Sequence, residues 1–456
     1  MENHNSIKQT YGLMTTIAMI VGVVIGSGIY FKVDDILKFT GGDVFLGMVI
    51  LVLGSFSIVF GSLSISELAI RTSESGGIFS YYEKYVSPAL AATLGLFASF
   101  LYLPTLTAIV SWVAAFYTLG ESSSLESQII LAAVYILALS LMNIFAKRIA
   151  GGFQSLTTFV KMIPLVLIAL IGAFWSDKAP QLPQHLTAIQ PSNVGWSWVS
   201  GLVPLYFAYD GWTIFVSIAP EVKNPKKNLP LAFVIGPALI LLSYLAFFYG
   251  LTQILGASFI MTTGNDAINY AANIIFGPSV GRLLSFIVIL SVLGVANGLL
   301  LGTMRLPQAF AERGWIKSER MANINLKYQM SLPASLTVTA VAIFWLFVHF
   351  MVTKFNLLPG SDISEIAVVF NNTSLIILYV LVLSLYLKKD IKNKFTGLVS
   401  PILAILGGLI LLIGSLLSNF FTVLIFQCFC LLFCLICHYI YQKNNPKTHE
   451  WVDFVD

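Results

Sequence analysis

Long, nearly uncharged apolar runs recur along the chain, and they restrict the possible fold more than any other feature of the sequence. Of the 456 residues, 57% are hydrophobic and only 10% are charged, whereas about a quarter are charged in a soluble globular domain. Such runs require lipid as their solvent, and in lipid every backbone polar group must be paired within the chain. Because the runs lack an alternation of period two, they predict an all-α integral membrane protein and not a β-barrel.

The runs divide into twelve predicted transmembrane helices, each near the roughly 20 residues that cross a bilayer. Proline and glycine residues between the runs mark the turns. The predicted spans are 13–37, 44–70, 89–117, 129–145, 153–175, 194–219, 231–255, 283–310, 333–352, 363–387, 398–417 and 420–441.

Lysine and arginine are distributed unequally between the two sides that twelve spans define. One side carries most of these residues, and the other carries little beyond Lys38, Lys178 and Lys354. Because short cytoplasmic loops are enriched in lysine and arginine, we expect both termini in the cytoplasm and the protein in the cell membrane. The net charge of +4 then belongs to loops and does not indicate nucleic-acid binding.

The thiols and imidazoles do not indicate a metal centre, a cofactor or an enzyme. The four cysteines lie among Leu, Phe and Ile residues between 428 and 437, where small apolar packing is the simplest interpretation. The five histidines are scattered along the chain, whereas catalysis requires titratable groups that converge. We therefore predict no metal, no cofactor and no enzymatic activity.

Two of the predicted spans contain residues that weaken a helix near its middle. Span one has Gly26, Ser27 and Gly28 in sequence, and each glycine costs a helix about 1 kcal/mol. Span six has Asp210 followed by Gly211, and an aspartate at a helix centre costs about 2.5–3.5 kcal/mol on insertion scales. A close helix contact at the glycines and a structural hydrogen bond at Asp210 remain alternative explanations.

The positions of these two spans suggest an internal repeat. They lie five helices apart, so two five-helix units would have opposite orientations in the membrane. Broken first helices in two inverted repeats are typical of a substrate site near the bilayer midplane. The predicted units are a tail at 1–11, repeats at 12–175 and 193–388, two added helices at 397–442, and a tail at 443–456.

The predicted breaks would suit an α-amino acid, which carries a carboxylate and an ammonium group on one carbon. Free N–H groups of Ser27, Gly28 and Ile29 would begin a half-helix and hold the carboxylate, helped by the helix dipole. Carbonyl groups that lose their helical partners would hold the ammonium group, namely those of Val23, Val24, Ile25, Phe207, Ala208 and Tyr209.

Lys161 lies inside predicted span five. It falls about eight residues into the helix, or roughly 12 Å from its cytoplasmic end, and its side chain would snorkel only part of that distance. We expect an inward ammonium group that bonds to carbonyls of the broken first helix. Such a cation would do the structural work of a sodium ion, or it would carry a proton.

Several segments resemble the L-amino acid transporter branch of the amino acid–polyamine–organocation superfamily, close to bacterial serine/threonine-type exchangers. The similarity extends from about residue 11 to residue 387. The matching segments are Val24-Ile25-Gly26-Ser27-Gly28-Ile29-Tyr30, Ser75-Gly76-Gly77-Ile78-Phe79-Ser80-Tyr81, Phe207-Ala208-Tyr209-Asp210-Gly211-Trp212, Glu221-Val222-Lys223-Asn224-Pro225, Asn297-Gly298, Arg305, and Ala311-Glu312-Arg313.

The resemblance implies ten core helices in two inverted repeats plus two more, and sodium-independent exchange of neutral L-amino acids. It implies that Phe207 is an aromatic gate over the substrate and that Lys161 replaces a sodium ion. Many branch members have glycine where this chain has Asp210. Animal members have a cysteine before helix four that binds an ancillary glycoprotein, but the loop 120–126 has none, so no disulfide-linked subunit is expected.

Two other functions remain possible from the sequence. A proton-coupled amino-acid symporter would share every motif, with Lys161 as the proton carrier. A polyamine or organic-cation carrier would use Asp210 as the counter-charge but leave the amides near Gly28 without a role. A channel would not need paired broken helices. Polar groups of Asn297, Thr213 and Asp210 would favour small or hydroxylated amino acids.

Overall fold

The computed structural model describes residues 11–72, 77–120, 122–177, 180–216, 219, 222–325, 327–328, 330–358, 362–418 and 420–445. Most of the two predicted tails lies outside these residues, and so do Ser75, Gly76 and Glu221 of the motifs above. The described part of the chain is helical and contains no β-strand beyond two isolated bridges. The prediction of an all-α fold is therefore confirmed for this part.

The helices are numbered in chain order. They are α1 (Leu13–Val24), α2 (Ser27–Phe39), α3 (Val44–Ala69), α4 (Ile78–Tyr85), α5 (Pro88–Phe97), α6 (Leu103–Leu119), α7 (Leu125–Phe145), α8 (Lys147–Val160), α9 (Met162–Ala173), α10 (Leu202–Tyr209), α11 (Trp212–Phe215), α12 (Pro225–Leu255), α13 (Ala257–Thr263), α14 (Ala267–Thr303), α15 (Leu306–Glu312), α16 (Glu319–Ala322), α17 (Leu332–Lys354), α18 (Ile363–Leu387), α19 (Ser400–Ser418) and α20 (Phe420–Asn444).

Ten helical stretches among the described residues are long and apolar enough to cross a membrane. They are Val44–Ala69, Pro88–Leu119, Leu125–Phe145, Ile149–Ala173, Pro225–Leu255, Gly281–Glu312, Leu332–Lys354, Ile363–Leu387, Phe395–Leu417 and Phe420–Asn444. Each overlaps one predicted span. The two predicted spans without a counterpart among the ten are the first and the sixth, because the helix is interrupted in both.

The first span is interrupted between α1 and α2. Ile25 leaves the helical region with φ −68° and ψ 113°, and Gly26 continues the extended path with φ −162° and ψ −138°. The sixth span is interrupted between α10 and α11. Asp210 is extended with ψ 169°, and Gly211 has φ 94°, a conformation that glycine adopts without steric cost. Both interruptions expose backbone groups in the interior of the helical bundle.

The two interruptions pass close to each other. A Cβ atom added at Gly28, in the first turn of α2, would lie 2.3 Å from the Cα atom of Ala208 on α10. The same kind of contact brings α9 against α12, where a Cβ at Gly172 would lie 2.3 Å from the Cα atom of Gly250. Small residues permit such close approach of helices in lipid, so Gly28 lets the two broken helices meet.

Candidate functional site

A cavity lies where the two interruptions meet, with about 580 Å³ of space free of atoms, including the part open to solvent. Glycine and apolar side chains form most of its wall, and among the described residues that line it only Asp210 and Gln154 have polar side chains. The lining residues are Gly22, Val24, Gly26, Gly28, Leu106, Val110, Gln154, Phe207, Asp210, Gly211, Val295, Gly298 and Leu299.

The backbone at the first interruption presents hydrogen-bond donors beside this cavity. Helix α2 begins at Ser27, and no side chain caps its first turn, so its first N–H groups have no partner within the helix. Gly26 and Gly28 both line the cavity. The positive end of the helix dipole and these free amides favour an anionic group at this point.

The backbone carbonyls that precede the two interruptions converge on one hydroxyl group. The Oη atom of Tyr244, on α12, lies 2.8 Å from the carbonyl oxygen of Ala208 and 3.3 Å from that of Val24. Tyr244 is fully buried. Because each carbonyl has two lone pairs, these acceptors retain capacity for a second donor. Sequence reasoning did not identify Tyr244, although a tyrosine hydroxyl inside an apolar span requires a partner.

Asp210 lines the cavity and is 9% exposed. The hydroxyl of Tyr102 donates to Oδ2 of Asp210 at 2.5 Å, and the side chain of Thr213 interacts with the same hydroxyl. Tyr102 is the last residue of a π-helical turn, Ala98–Tyr102, which lies between α5 and α6. Such turns are common near functional sites. Thr213 thus contacts Tyr102 and is not among the cavity-lining residues.

Asn297 lies one layer behind the cavity wall. It is fully buried, and its Nδ2 atom donates to Oε1 of Gln154 at 2.9 Å. Its Oδ1 atom accepts from Nδ2 of Asn143, also at 2.9 Å. The residue that reaches the cavity is therefore Gln154. Its carboxamide inside an apolar span is a signal that could have revealed it from sequence.

Lys161 connects α8 and α9 to both halves of the first span. Its side chain is 1% exposed, and its Nζ atom donates to the carbonyl oxygen of Gly22 on α1. Its own carbonyl accepts a hydrogen bond of 2.7 Å from the hydroxyl of Tyr30 on α2. Lys161 thus points inward rather than toward a membrane surface, and it contacts helices on both sides of the break.

Phe207 contacts both the cavity and a buried cluster of charges. It lines the cavity, and the Nζ atom of Lys32 lies 5.6 Å from the centroid of its ring. Lys32 pairs with Glu365 at 2.6 Å, Asp362 at 3.4 Å and Asp35 at 3.5 Å. Glu365 and Asp362 stand at the beginning of α18. This cluster joins α2 to α18, and sequence reasoning did not single it out.

The structure brings about half of the predicted substrate residues to the cavity wall. Those that line it are Val24, Gly26, Gly28, Phe207, Asp210 and Gly211. Those that are not among its lining residues are Ile25, Ile29, Ala208, Tyr209, Thr213 and Asn297. For Ser27, only the backbone N–H group at the start of α2 is relevant to the site. Within the described residues no cluster of histidine, cysteine, aspartate or glutamate is arranged to hold a metal ion.

Comparison with known proteins identifies the relatives of this chain. A family model described as amino acid permease matches residues 11–450. The serine/threonine exchanger SteT of Bacillus subtilis is 28% identical over 333 residues, 71% of this chain and 73% of the relative. The b(0,+)-type amino acid transporter 1 of Mus musculus is 25% identical over 438 residues, 91% and 84% of the two chains. The human large neutral amino acids transporter small subunit 2 is 27% identical, covering 77% and 66%.

Proposed function

Because the chain belongs to the amino acid permease family of the amino acid–polyamine–organocation superfamily, we propose that it is a sodium-independent exchanger of small neutral L-amino acids. The observation that carries this proposal is the cavity at which both broken helices meet. Its relatives include a serine/threonine exchanger and large neutral amino acid transporters. Substrate would bind there and cross the membrane by alternating access.

The substrate's two charged groups have complementary backbone partners in this proposal. The carboxylate binds the free N–H groups of Ser27, Gly28 and Ile29 at the start of α2, where the helix dipole stabilises an anion. The ammonium group binds carbonyl oxygens at the ends of α1 and α10, including those of Val24 and Ala208 that Tyr244 contacts. Backbone recognition of this kind accepts any α-amino acid, so discrimination depends on the side-chain end of the cavity.

Lys161 and Phe207 have separate roles in the proposed transport cycle. The ammonium group of Lys161 stabilises the end of α1 through the carbonyl of Gly22, in place of a sodium ion. Phe207 closes over the substrate on the side of α2, supported by the cluster around Lys32. The substrate leaves on the opposite side when one helical bundle rocks against the other.

The topology that fits this function has twelve crossings. The ten long apolar helices, together with the interrupted first and sixth spans, support that count. We propose two inverted five-helix repeats, at 12–175 and 193–388, followed by two further helices. Both termini would lie in the cytoplasm of a cell-membrane protein, as the distribution of lysine and arginine indicates. The four cysteines carry free thiols, and we propose that no disulfide-linked subunit is needed.

Proton-coupled symport is the second candidate function. The observation that favours it is the burial of an ammonium group and a carboxylate next to the cavity, on Lys161 and Asp210. Either group would carry a proton if it changed charge during the cycle. A polyamine carrier would also use Asp210, but it would leave the free amides of α2 unoccupied.

Uptake of radiolabelled serine into proteoliposomes tests the proposal. The vesicles are either empty or preloaded with unlabelled alanine, with and without an inward proton gradient. An exchanger requires preloading and ignores the gradient. Gradient-driven uptake into empty vesicles would establish symport instead. Uptake of radiolabelled putrescine that unlabelled putrescine inhibits and serine does not would establish a cation carrier.

A further inference from the structure

The cavity wall contains a polar side chain that has no role in the proposed transport cycle. Gln154, on α8, lines the cavity together with Asp210, and the rest of the described wall is glycine or apolar. In mostly apolar pockets, a few placed polar groups determine which ligand is selected. The atom that Gln154 presents to the cavity, oxygen or nitrogen, therefore decides what it selects.

A chain of three carboxamides determines the orientation of Gln154. It begins at Asn143, whose Nδ2 atom lies 3.0 Å from the carbonyl oxygen of Leu139. A backbone carbonyl only accepts hydrogen bonds, so this atom of Asn143 must be the NH₂ group. The same NH₂ group lies 2.9 Å from the side chain of Asn297, which must therefore face it with its oxygen.

The hydrogen bonds between Asn297 and Gln154, the second and third of these carboxamides, agree with this assignment. The Nδ2 atom of Asn297 lies 3.4 Å from the carbonyl oxygen of Ala150, again an acceptor only, and 2.9 Å from Oε1 of Gln154. Gln154 thus uses its oxygen inside the protein. In the part of the chain that the structure describes, its Nε2 atom has no hydrogen-bond partner. A Cβ atom added at Gly298 would lie 3.2 Å from this Nε2, and Gly298 lines the cavity.

We infer that Gln154 determines side-chain specificity by donating a hydrogen bond from Nε2 to an oxygen atom of the substrate's side chain. This inference rests on the proposed function and names its substrate class: amino acids with a hydroxyl, ether or carboxamide oxygen, in preference to apolar amino acids of the same shape. Asp210 offers an acceptor in the same cavity, so a hydroxyl group, which both donates and accepts, has partners of both kinds. Asn297 and Asn143 act as positioning residues that keep the Gln154 amide in this orientation.

Two isosteric substrates isolate this hydrogen bond. O-methyl-L-serine and L-norvaline differ only in an ether oxygen that replaces a methylene group, and the ether oxygen only accepts. The exchange of each for internal alanine is measured in proteoliposomes of the wild type and of Gln154→Met, which keeps the length of the side chain but removes the donor. The readout is the ratio of Vmax/KM for the two substrates, which a purely structural role of Gln154 would not change.

We expect Gln154→Met to lower the ratio of O-methylserine to norvaline about 5- to 10-fold, because a hydrogen bond between uncharged groups contributes about 1 kcal/mol. Alanine exchange is measured beside it as the reference, because alanine has no side-chain acceptor and any loss in its exchange reports damage common to all substrates. The matched control is Gln308→Met on α15, whose side chain bonds to Glu312 away from the cavity. That control should leave the ratio unchanged.

A second variant reverses the orientation of the amide without altering Gln154. In Asn297→Asp, the carboxylate only accepts, so Gln154 must turn its Nε2 atom toward position 297 and present its oxygen to the cavity. The ratio should fall in this variant as well, and adding Gln154→Met should lower it little further.

An unchanged ratio in Gln154→Met, with alanine exchange retained, overturns the inference and leaves the proposed function standing. If Gln154→Met cannot be reconstituted into vesicles, the wild type alone tests the inference. A wild-type ratio of Vmax/KM for O-methylserine to that for norvaline at or below one then overturns it. If the wild type takes up no amino acid under any condition, the proposed function fails, and this inference fails with it.

Discussion

The hydroxyl of Tyr244 donates a hydrogen bond of 2.8 Å to the carbonyl oxygen of Ala208, the residue before the last in α10. The same oxygen atom of Tyr244 lies 3.3 Å from the carbonyl of Val24, the last residue of α1. One side chain from α12 therefore connects the ends of both interrupted helices. The two carbonyl groups are therefore held in position before a substrate ammonium group would bind to them.

Tyr244→Phe should weaken substrate binding without preventing transport. The variant keeps the ring and removes one hydrogen bond, which contributes about 1 kcal/mol, so KM for serine should rise about fivefold. Vmax should change less, and KM is measured by exchange in proteoliposomes. Tyr249→Phe is the matched control, because Tyr249 lies on the same helix with 41% of its surface exposed. An unchanged KM in Tyr244→Phe would mean that this hydroxyl does not organise the site.

Gly28→Ala should abolish transport. The added Cβ would lie 2.3 Å from the Cα atom of Ala208, and because this neighbour is backbone, the two broken helices would have to separate. Serine exchange and the melting temperature of the purified protein should both fall. Gly151→Ala is the control, since no described residue outside its own helix comes within 4 Å of its Cβ position. Wild-type exchange by Gly28→Ala would contradict the close contact between the two broken helices on which the proposed site depends.

Lys161→Ala should reduce the apparent affinity for substrate at least about tenfold, because the carbonyl of Gly22 loses a charged donor and the end of α1 loses its anchor. Lys354→Ala removes a half-exposed lysine that pairs with Glu126, and it should have little effect. Serine exchange at a series of concentrations measures both variants. If Lys161→Ala retains the wild-type rate and affinity, the role of Lys161 in place of a sodium ion is wrong.

Lys32→Met should strongly destabilise the contact between α2 and α18 beside Phe207. The variant leaves the carboxylates of Glu365, Asp362 and Asp35 without their shared cation, and breaking a buried ion pair in this way costs about 3–5 kcal/mol. The melting temperature in detergent should fall clearly. Adding Glu365→Gln to Lys32→Met should recover part of the loss, since one buried charge is removed. Equal melting temperatures for the wild type and Lys32→Met would show that the cluster does not hold α2 against α18.

Asp210→Asn should preserve serine exchange within about threefold, because the amide oxygen still accepts the hydrogen bond of Tyr102. The variant removes the negative charge from the cavity. It therefore separates a role of Asp210 as a hydrogen-bond acceptor from a role in proton transfer. Loss of gradient-driven uptake with intact exchange would assign proton transfer to Asp210. Complete loss of serine exchange would contradict a neutral substrate that relies on backbone contacts for its charged groups.

The helical class, the approximate spans and the two weak points in them follow from local properties of the sequence. Long apolar runs require internally paired helices in lipid, and the glycines around Ser27 and the Asp210-Gly211 pair disfavour a continuous helix wherever they stand. The interruptions at Ile25 and at Asp210 in the structure lie within a residue or two of those signals. Lys161 was equally visible, because a cation deep inside an apolar span needs a partner.

The side chains that complete the site were decided only by the tertiary structure. Lys32 pairs with Glu365 across 333 positions of sequence, and Tyr244 reaches Val24 across 220. Sequence reasoning assigned Asn297 to the cavity wall, but packing of α14 against α8 places Gln154 there and Asn297 behind it. Helical periodicity shows which residues share a face of one helix, whereas the contacts of a cavity depend on how neighbouring helices rotate and pack against each other. That rotation is determined by the sum of many small packing energies between distant segments, which no single segment contains.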